Sequence, residues 1–388
     1  MKRLRQMARW WLLASALCLA LAAGATEYPL RVLDIAGRAV VVPQPPQRIF
    51  VQNGNTLTAL ALLERENPFA RVIGWNNTLG HSDPSIWRLL QQRWPQARNV
   101  PTLDFDNSGH VDLEALVRLR PDLVLLDIET RPAVEGGRAG PLLAQLGIPV
   151  LYLDISRNPV VNLPRTVALL GQVLDRQARA EAYLQFYRQR LAAIQAVVAQ
   201  VGERPRVFVE SRAGRMGLEQ CCYSQGKTAW GLLIEAVGGI NLASQLLPGI
   251  TGDIALETLI RLRPDVYLMT GTSQVKRGAQ TIGFGYGASR EEAQTALARL
   301  MGRPGFSLLG QGPAACVHAV YHQFYDSAFN IVALEYLAKI LYPLRFAHLQ
   351  PADTYRHLLQ TFTALPDAPF VFDIRRGFSD RACAESIP

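Results

Sequence analysis

Lysine is scarce in this chain: 36 of its 40 basic residues are arginine. Cysteine is scarce too, with 5 in 388 residues, so no disulfide-dense scaffold is implied. There is no G-x-S-x-G elbow, no P-loop and no H-E-x-x-H pair, which removes the commonest hydrolase and nucleotide-handling signatures. Gly283-Phe-Gly-Tyr-Gly287 has the wrong spacing for a dinucleotide fingerprint, and no strand precedes it. Beyond residue 25 no apolar run has the length or continuity of a membrane-spanning helix.

Residues 1–25 read as a secretory signal. Lys2, Arg3, Arg5 and Arg9 precede an apolar segment from Trp10 to Ala23, and Ala23-Gly24-Ala25 is a small-x-small cleavage site. Cys18 follows Leu17 rather than a small residue, so a lipid anchor is not expected. Removing those four basic groups lowers the formal net charge from +8 to +4, a mild excess and not the footprint of a nucleic-acid binder. The mature protein is expected to be exported and soluble. Cys221, Cys222, Cys316 and Cys383 then remain, and four cysteines allow three pairings. The sequence does not choose between them: a Cys221–Cys222 bond would close a strained ring between neighbours, pairing with Cys316 or Cys383 is easier, and four unpaired thiols are an equal alternative.

What the chain has is a repeat. Leu113-Glu-Ala-Leu-Val-Arg-Leu-Arg-Pro-Asp122 returns as Leu256-Glu-Thr-Leu-Ile-Arg-Leu-Arg-Pro-Asp265, identical at eight of ten positions and offset by 143 residues. That offset is too long for a solenoid and suits a duplicated α/β lobe. Each copy reads as a short helix halted before proline, and a buried strand follows. A helix entering a strand through a tight turn runs antiparallel to it. The helix start, carrying Glu114 or Glu257, therefore lies at the strand's C-terminal edge, where open α/β sheets bind ligands. Alone, each glutamate could simply complement its helix dipole.

The first lobe opens with a hairpin over 28–42 and continues as strands at 48–51, 71–75 and 149–153, with helices at 57–63 and 141–146. Asn76 to Pro84 reads as a polar loop. Pro164 is expected to open a helix through Leu174, and Asp175 to cap a second over residues 176–201. That segment holds no Gly or Pro and would reach about 39 Å, enough to bridge two lobes. The expected domains are 26–162, linking helices 163–201, a second lobe 202–366 and a tail 367–388 for which the sequence offers no account. The fold class is α/β, two Rossmann-like lobes bridged by a long helix with a ligand cleft between them.

Arginines cluster after strand ends: Arg131 and Arg138 in the first lobe, Arg212 and Arg215 in the second, joined by Lys276 and Arg277. Trp75, Phe105, Tyr223 and Tyr286 lie at similar points. Guanidinium forks and aromatic faces together favour a bulky anionic ligand. His318 and His322 lie on a strand, where four residues separate the rings by about 13 Å, so they cannot share a metal. His322, at the strand end, is placed to reach the cleft.

The pattern Leu-Glu-x-Leu-x-x-Leu-x-Pro-Asp, a buried strand and Leu146-Gly-Ile-Pro-Val150 resembles the helical-backbone (class III) periplasmic substrate-binding proteins of ABC importers. These carry ferric siderophores, haem, cobalamin, or free metals and oxyanions, and the resemblance spans residues 30 to 363. It implies a monomeric carrier of an iron chelate, without cofactor or enzymatic activity, partnered by an ABC permease dimer and not by nucleic acid. The ligand residues read from the loops after the strands are Trp75, Arg131, Arg138, Arg212, Arg215, Tyr223, Tyr286 and His322. Glu114 and Glu257 resemble the family's permease-docking glutamates. Haem, cobalamin, or a bare metal or oxyanion held by His322 or Tyr321 are the alternatives within the fold. An exported cleft hydrolase is the alternative of another class.

Overall fold

The computed structural model describes residues 26–273, 279–314 and 316–378. Residues 1–25, expected to be a secretory signal, and Lys276, Arg277 and Cys383 lie outside them. Strands β1 (Leu30–Leu33) and β2 (Ala39–Val42) form the opening hairpin, with Leu30 opposite Val42. The first sheet comprises β3 (Ile49–Val51), β4 (Val72–Trp75), β5 (Leu123–Asp127) and β6 (Val150–Leu153), ordered β4-β3-β5-β6 and parallel throughout. Both faces are covered, as the unbroken apolar run of β5 requires. Leu123 and Leu125 join the main core, while Val124 and Leu126 join a separate cluster with Phe50, Phe105 and Tyr152 on the other face.

The second lobe repeats the design with β7 (Arg206–Glu210), β8 (Tyr223–Gln225), β9 (Ile240–Asn241), β10 (Thr251–Asp253), β11 (Val266–Gly271), β12 (Gly285–Tyr286) and β13 (Cys316–Tyr321). The repeated decapeptide does the same work twice. Leu116 and Leu259 are fully buried anchors of the helices Leu113–Arg118 and Leu256–Leu262. Arg120 and Arg263 leave those helices at φ 50° and 49°, because the right-handed region is disfavoured before Pro121 and Pro264. The following aspartates pin the neighbouring strand. Asp122 accepts from the Gln47 and Arg48 amides (2.8 and 2.9 Å), and Asp265 from the Arg206 amide (2.6 Å).

Two boundaries differ from expectation. The linking helix starts at Pro159, not Pro164, because Asn158 caps it and Asp154 accepts from the amides of Ser156, Arg157 and Asn158. Pro164 is carried inside. Asp175 does not cap the next helix but sits at φ 56° in the turn, where its carboxylate holds Thr26. Residues 76–84 are also not all loop: Leu79–Ser82 is helical, and Asp83 caps a further helix, Pro84–Arg93.

The Gln177–Val198 helix, about 33 Å long, is fastened to both lobes. Arg179 donates to Leu62 O (2.9 Å) and Phe362 O (2.8 Å), Tyr183 to Ala328 O (2.6 Å), and Arg190 to the buried Glu335 (2.7 Å). One apolar cluster runs through the first lobe, this helix and the second lobe.

The tail has a structural role. β14 (Phe370–Val371) pairs with β12, and β15 (Asp373–Gly377) adds an antiparallel edge strand, giving the order β15-β13-β11-β7-β9. Phe372 lies among Phe324, Phe370, Tyr336 and Tyr355. Phe372→Ala is expected to cost about 2–3 kcal/mol, the loss for a partly buried aromatic, in urea unfolding. An unchanged midpoint would mean that the tail rests on the lobe without stabilising it.

Candidate functional site

The lobes meet along one side of their interface. Thr272 and Gln323 of the second lobe donate to Ser82 O (2.9 and 2.8 Å), Ser273 donates to Asp83 (3.1 Å), and Tyr321 hydroxyl bonds Asp83. Deeper in, Asn55 Nδ2 donates to Asp326 Oδ2 at 2.7 Å. These contacts join the segments that follow β3 and β4 in the first lobe to those at the ends of β11 and β13 in the second.

The first-lobe wall is made of amides and carboxylates. Gln52 clasps the Asp127 amide (3.0 Å) and donates to Phe105 O (2.9 Å). Asn53 donates to Asp127, and Asn107 to Glu129 (2.9 Å). Burial pushes the Asp127 carboxyl up to about 7.

The second-lobe wall is cationic. Arg212 sits at φ 47°, its amide donating to Thr270 Oγ1 (2.8 Å), and that hydroxyl meets His322 Nδ1 at 2.8 Å. The Arg215 guanidinium lies 3.9 Å over the Tyr223 ring. The Nε atoms of Arg212 and Arg215 are buried without a hydrogen-bond partner, and among the described residues neither arginine has an ion pair. Burial, then these two arginines, push His322 well below the ordinary histidine range, so its ring is neutral. Burial likewise raises Asp326 to about 8, against the opposing pull of Arg212. Beneath them, the buried Glu210 is held by a two-pronged Arg303 pair (2.6 and 2.7 Å) and by Tyr267 hydroxyl (2.8 Å), so it is not available to neutralise Arg212 or Arg215.

The structure thus brings Arg212, Arg215, Tyr223 and His322 together and leaves the other expected ligand residues elsewhere. Trp75 is 1% exposed and packs between Phe69 and Trp87, a core residue with no surface toward the cleft. Phe105 is likewise fully buried. Arg131 turns away to Glu135 (3.0 Å) and Ala36 O (3.4 Å), because the two side chains share a helix face. Arg138 is exposed at the start of the helix Ala139–Gln145. Tyr286 is buried, bonded to Tyr355 hydroxyl (2.8 Å) and packed on Phe370. Tyr321, a possible metal ligand, is committed to Asp83. Glu129, Tyr325 and Asp326 were not anticipated. The rule that picked Arg212, attention to residues just past a strand end, reaches them as well.

The expected cysteine pairing is corrected: Cys221 and Cys222 are bonded to each other. Val317 lies beside Tyr267 in register, and the Tyr267 hydroxyl contacts both sulfurs, so Cys316 points to the opposite face of the sheet. Cys316 is itself disulfide-bonded. Glu114 and Glu257 are both exposed. Glu114 pairs with Arg118 of its own helix (2.8 Å).

Two α/β lobes with a continuous interlobe helix and a polar cleft define a two-lobed solute-binding protein. Residues 72–310, more than half of the chain, match the family model of the periplasmic binding proteins, and the chain belongs to that family, which serves ABC transporters. Among solved structures it resembles a TroA-like periplasmic binding protein, FepB, from Veillonella parvula. That match has a TM-score of 0.80 and 20% identity, and covers 89% of this chain and 99% of that one. It also resembles the molybdate periplasmic binding protein MolA of Haemophilus influenzae (TM-score 0.61, 16% identity, 86% and 97% covered). A third is Helicobacter pylori CeuE with Ni(II) bound (TM-score 0.62, 15% identity, 87% and 97% covered). No curated protein matches the chain. At these identities the likeness establishes the fold alone.

The raised Asp326 carboxyl sets a pH dependence. Between the ordinary carboxyl value near 4 and about 8, the folded protein holds a proton that the unfolded chain has released. The associated stability is full on the acid side and is lost as pH rises through about 8. Asp326→Asn is expected to shrink the drop in melting temperature between about pH 5 and about pH 9. A drop as large as in the parent would show that Asp326 ionises freely in the folded protein.

Proposed function

We propose that the protein captures an anionic iron chelate of the ferric siderophore class in the periplasm, where the segment 1–25 directs it, and delivers it to an ABC permease dimer. The observation that carries this reading is the pair of half-buried guanidiniums, Arg212 and Arg215, without a carboxylate partner at the cleft. A buried donor left unsatisfied is costly, and an anionic ligand supplies what the protein withholds. Tyr223, already stacked under Arg215, offers an aromatic face to the organic part of the chelate. The first-lobe amides Asn53 and Asn107 suit its neutral donors, while Glu129 disfavours a purely anionic surface there. The anion is therefore gripped from the second lobe rather than clamped equally by both.

The binding reading is better supported than hydrolysis. Thr270 lies next to His322, the nearest approach to a nucleophile and base, but Thr270 is fully buried and its hydroxyl accepts from the Arg212 amide. A bare oxyanion would use the same two arginines without needing Tyr223, and haem or cobalamin would need fewer cations. We also propose that Glu114 and Glu257 each meet one permease subunit, as their matching places in the repeat and their exposure allow.

Arg212→Ala and Arg215→Ala are each expected to weaken a ferric catecholate or citrate-type chelate by about 1.5–3 kcal/mol in fluorescence titration. Arg131→Ala, already paired with Glu135, is expected to change little. Unchanged affinity in both cleft variants would remove the guanidinium grip. Exchanging Glu114 and Glu257 together for arginine is expected to abolish uptake in cells while ligand affinity stays within about twofold, below the ~1.4 kcal/mol that a tenfold change represents. Normal uptake by that double variant would reduce both residues to helix-end charges.

A further inference from the structure

On the second lobe, away from the cleft, a cavity of about 700 Å³ opens between the sheet and the helices Arg290–Met301 and Asn330–Leu341. Its wall is built by the tail strand β15, whose Arg375 stands directly opposite His318 of β13. Residues paired in this way project from the same face of the sheet. Arg290 and Lys339 complete a set of three cations lining the space.

Two acids, Asp265 and Asp373, line the same space, so the three cations exceed them by one. Asp265 is engaged by the Arg206 amide, and Asp373 is bonded to Tyr336 hydroxyl. Asp373 lies within the field of Arg290, Arg375 and Lys339 at once, which places the three cations around one point. Lys339 donates to Leu349 O (2.8 Å). Arg290 and Arg375 have no ion pair among the described residues and are exposed at the cavity mouth. His318 is pushed down to about 4 by burial and by Arg375, so it adds no charge but offers a ring nitrogen. The space is in the range of small-molecule sites and far exceeds a single water or simple inorganic ion.

We propose that this cavity is a second ligand site for a small organic polyanion, one bearing two or more carboxylate or phosphate groups. Arg290, at the start of its helix, and Arg375, on β15, supply forked donors, and Lys339 supplies a third positive charge from the helix Asn330–Leu341. The strand that contributes Arg375 lies outside residues 72–310, the segment shared with the family model.

The test is calorimetric titration of the full chain with citrate and, separately, pyrophosphate at constant ionic strength. In an Arg212→Gln, Arg215→Gln background, which removes the cleft's own anion grip, one or both probes are expected to bind with one equivalent, and at least tenfold more weakly when Arg375→Gln or Arg290→Gln is added. Citrate alone would assign carboxylates, and pyrophosphate alone phosphates. No heat with either probe, or affinity unchanged in the Arg290→Gln, Arg375→Gln double variant, would overturn the proposal. Loss of binding in the Arg212→Gln, Arg215→Gln background would also overturn it, because the anion would then be in the cleft alone. Arg290 and Arg375 are exposed, so the melting temperatures of these variants are expected to match the parent. A chelate titration of the double variant separates the two sites, since the cleft reading requires its affinity to be unaltered.

Discussion

The structure depends on the commitment of one helix to two lobes at once. Gln177–Val198 buries Tyr183, Leu184, Tyr187 and Ile194 in a core that also contains residues of both lobes. Separating the lobes would expose that shared apolar surface, at about 25 cal/mol for each Å². The Arg190–Glu335 pair raises the cost, because Glu335 is buried and would lose its cation. The geometry of the cleft is thus inherited from the core. Small closing movements are open to such a molecule, while wide hinge opening is not.

Within that fixed frame the site is defined by what is left unpaired. Several buried carboxylates are paired with arginine: Glu210 with Arg303, Glu335 with Arg190, and Asp34 with Arg38. Arg212 and Arg215 each hold a buried Nε donor without a partner and have no ion pair among the described residues. Neutral His322 and protonated Asp326 sit beside them, so neither adds a competing charge to the wall at neutral pH. A ligand bringing negative charge meets a surface whose reorganisation is already complete.

Much of the fold was legible because its signals are local. Continuous apolar runs gave the parallel strands, and the Pro-Asp pairs gave the turns, whose aspartates proved to be strand pins. The beginning of the linking helix was not, since Pro159 with its Asn158 cap outcompeted the more conspicuous Pro164. In the site, position after a strand located Arg212, Arg215 and His322 but could not say which way a side chain faces. Trp75 satisfied the same positional rule and is interior because Phe69 and Trp87 enclose it. Arg131 had its partner four residues on, a signal that was readable in advance. The tail was opaque because β15 pairs with a strand nearly sixty residues earlier, and no local pattern encodes that register.

The most direct measurement is an absorption spectrum and native mass spectrum of the protein isolated from the envelope of its own cells under iron limitation, alongside the Arg212→Gln, Arg215→Gln double variant. The account predicts a ligand-to-metal charge-transfer band and the mass of one ferric chelate on the parent, both absent from the variant. A Soret band, a corrin spectrum, or a chelate retained equally by both proteins would contradict it.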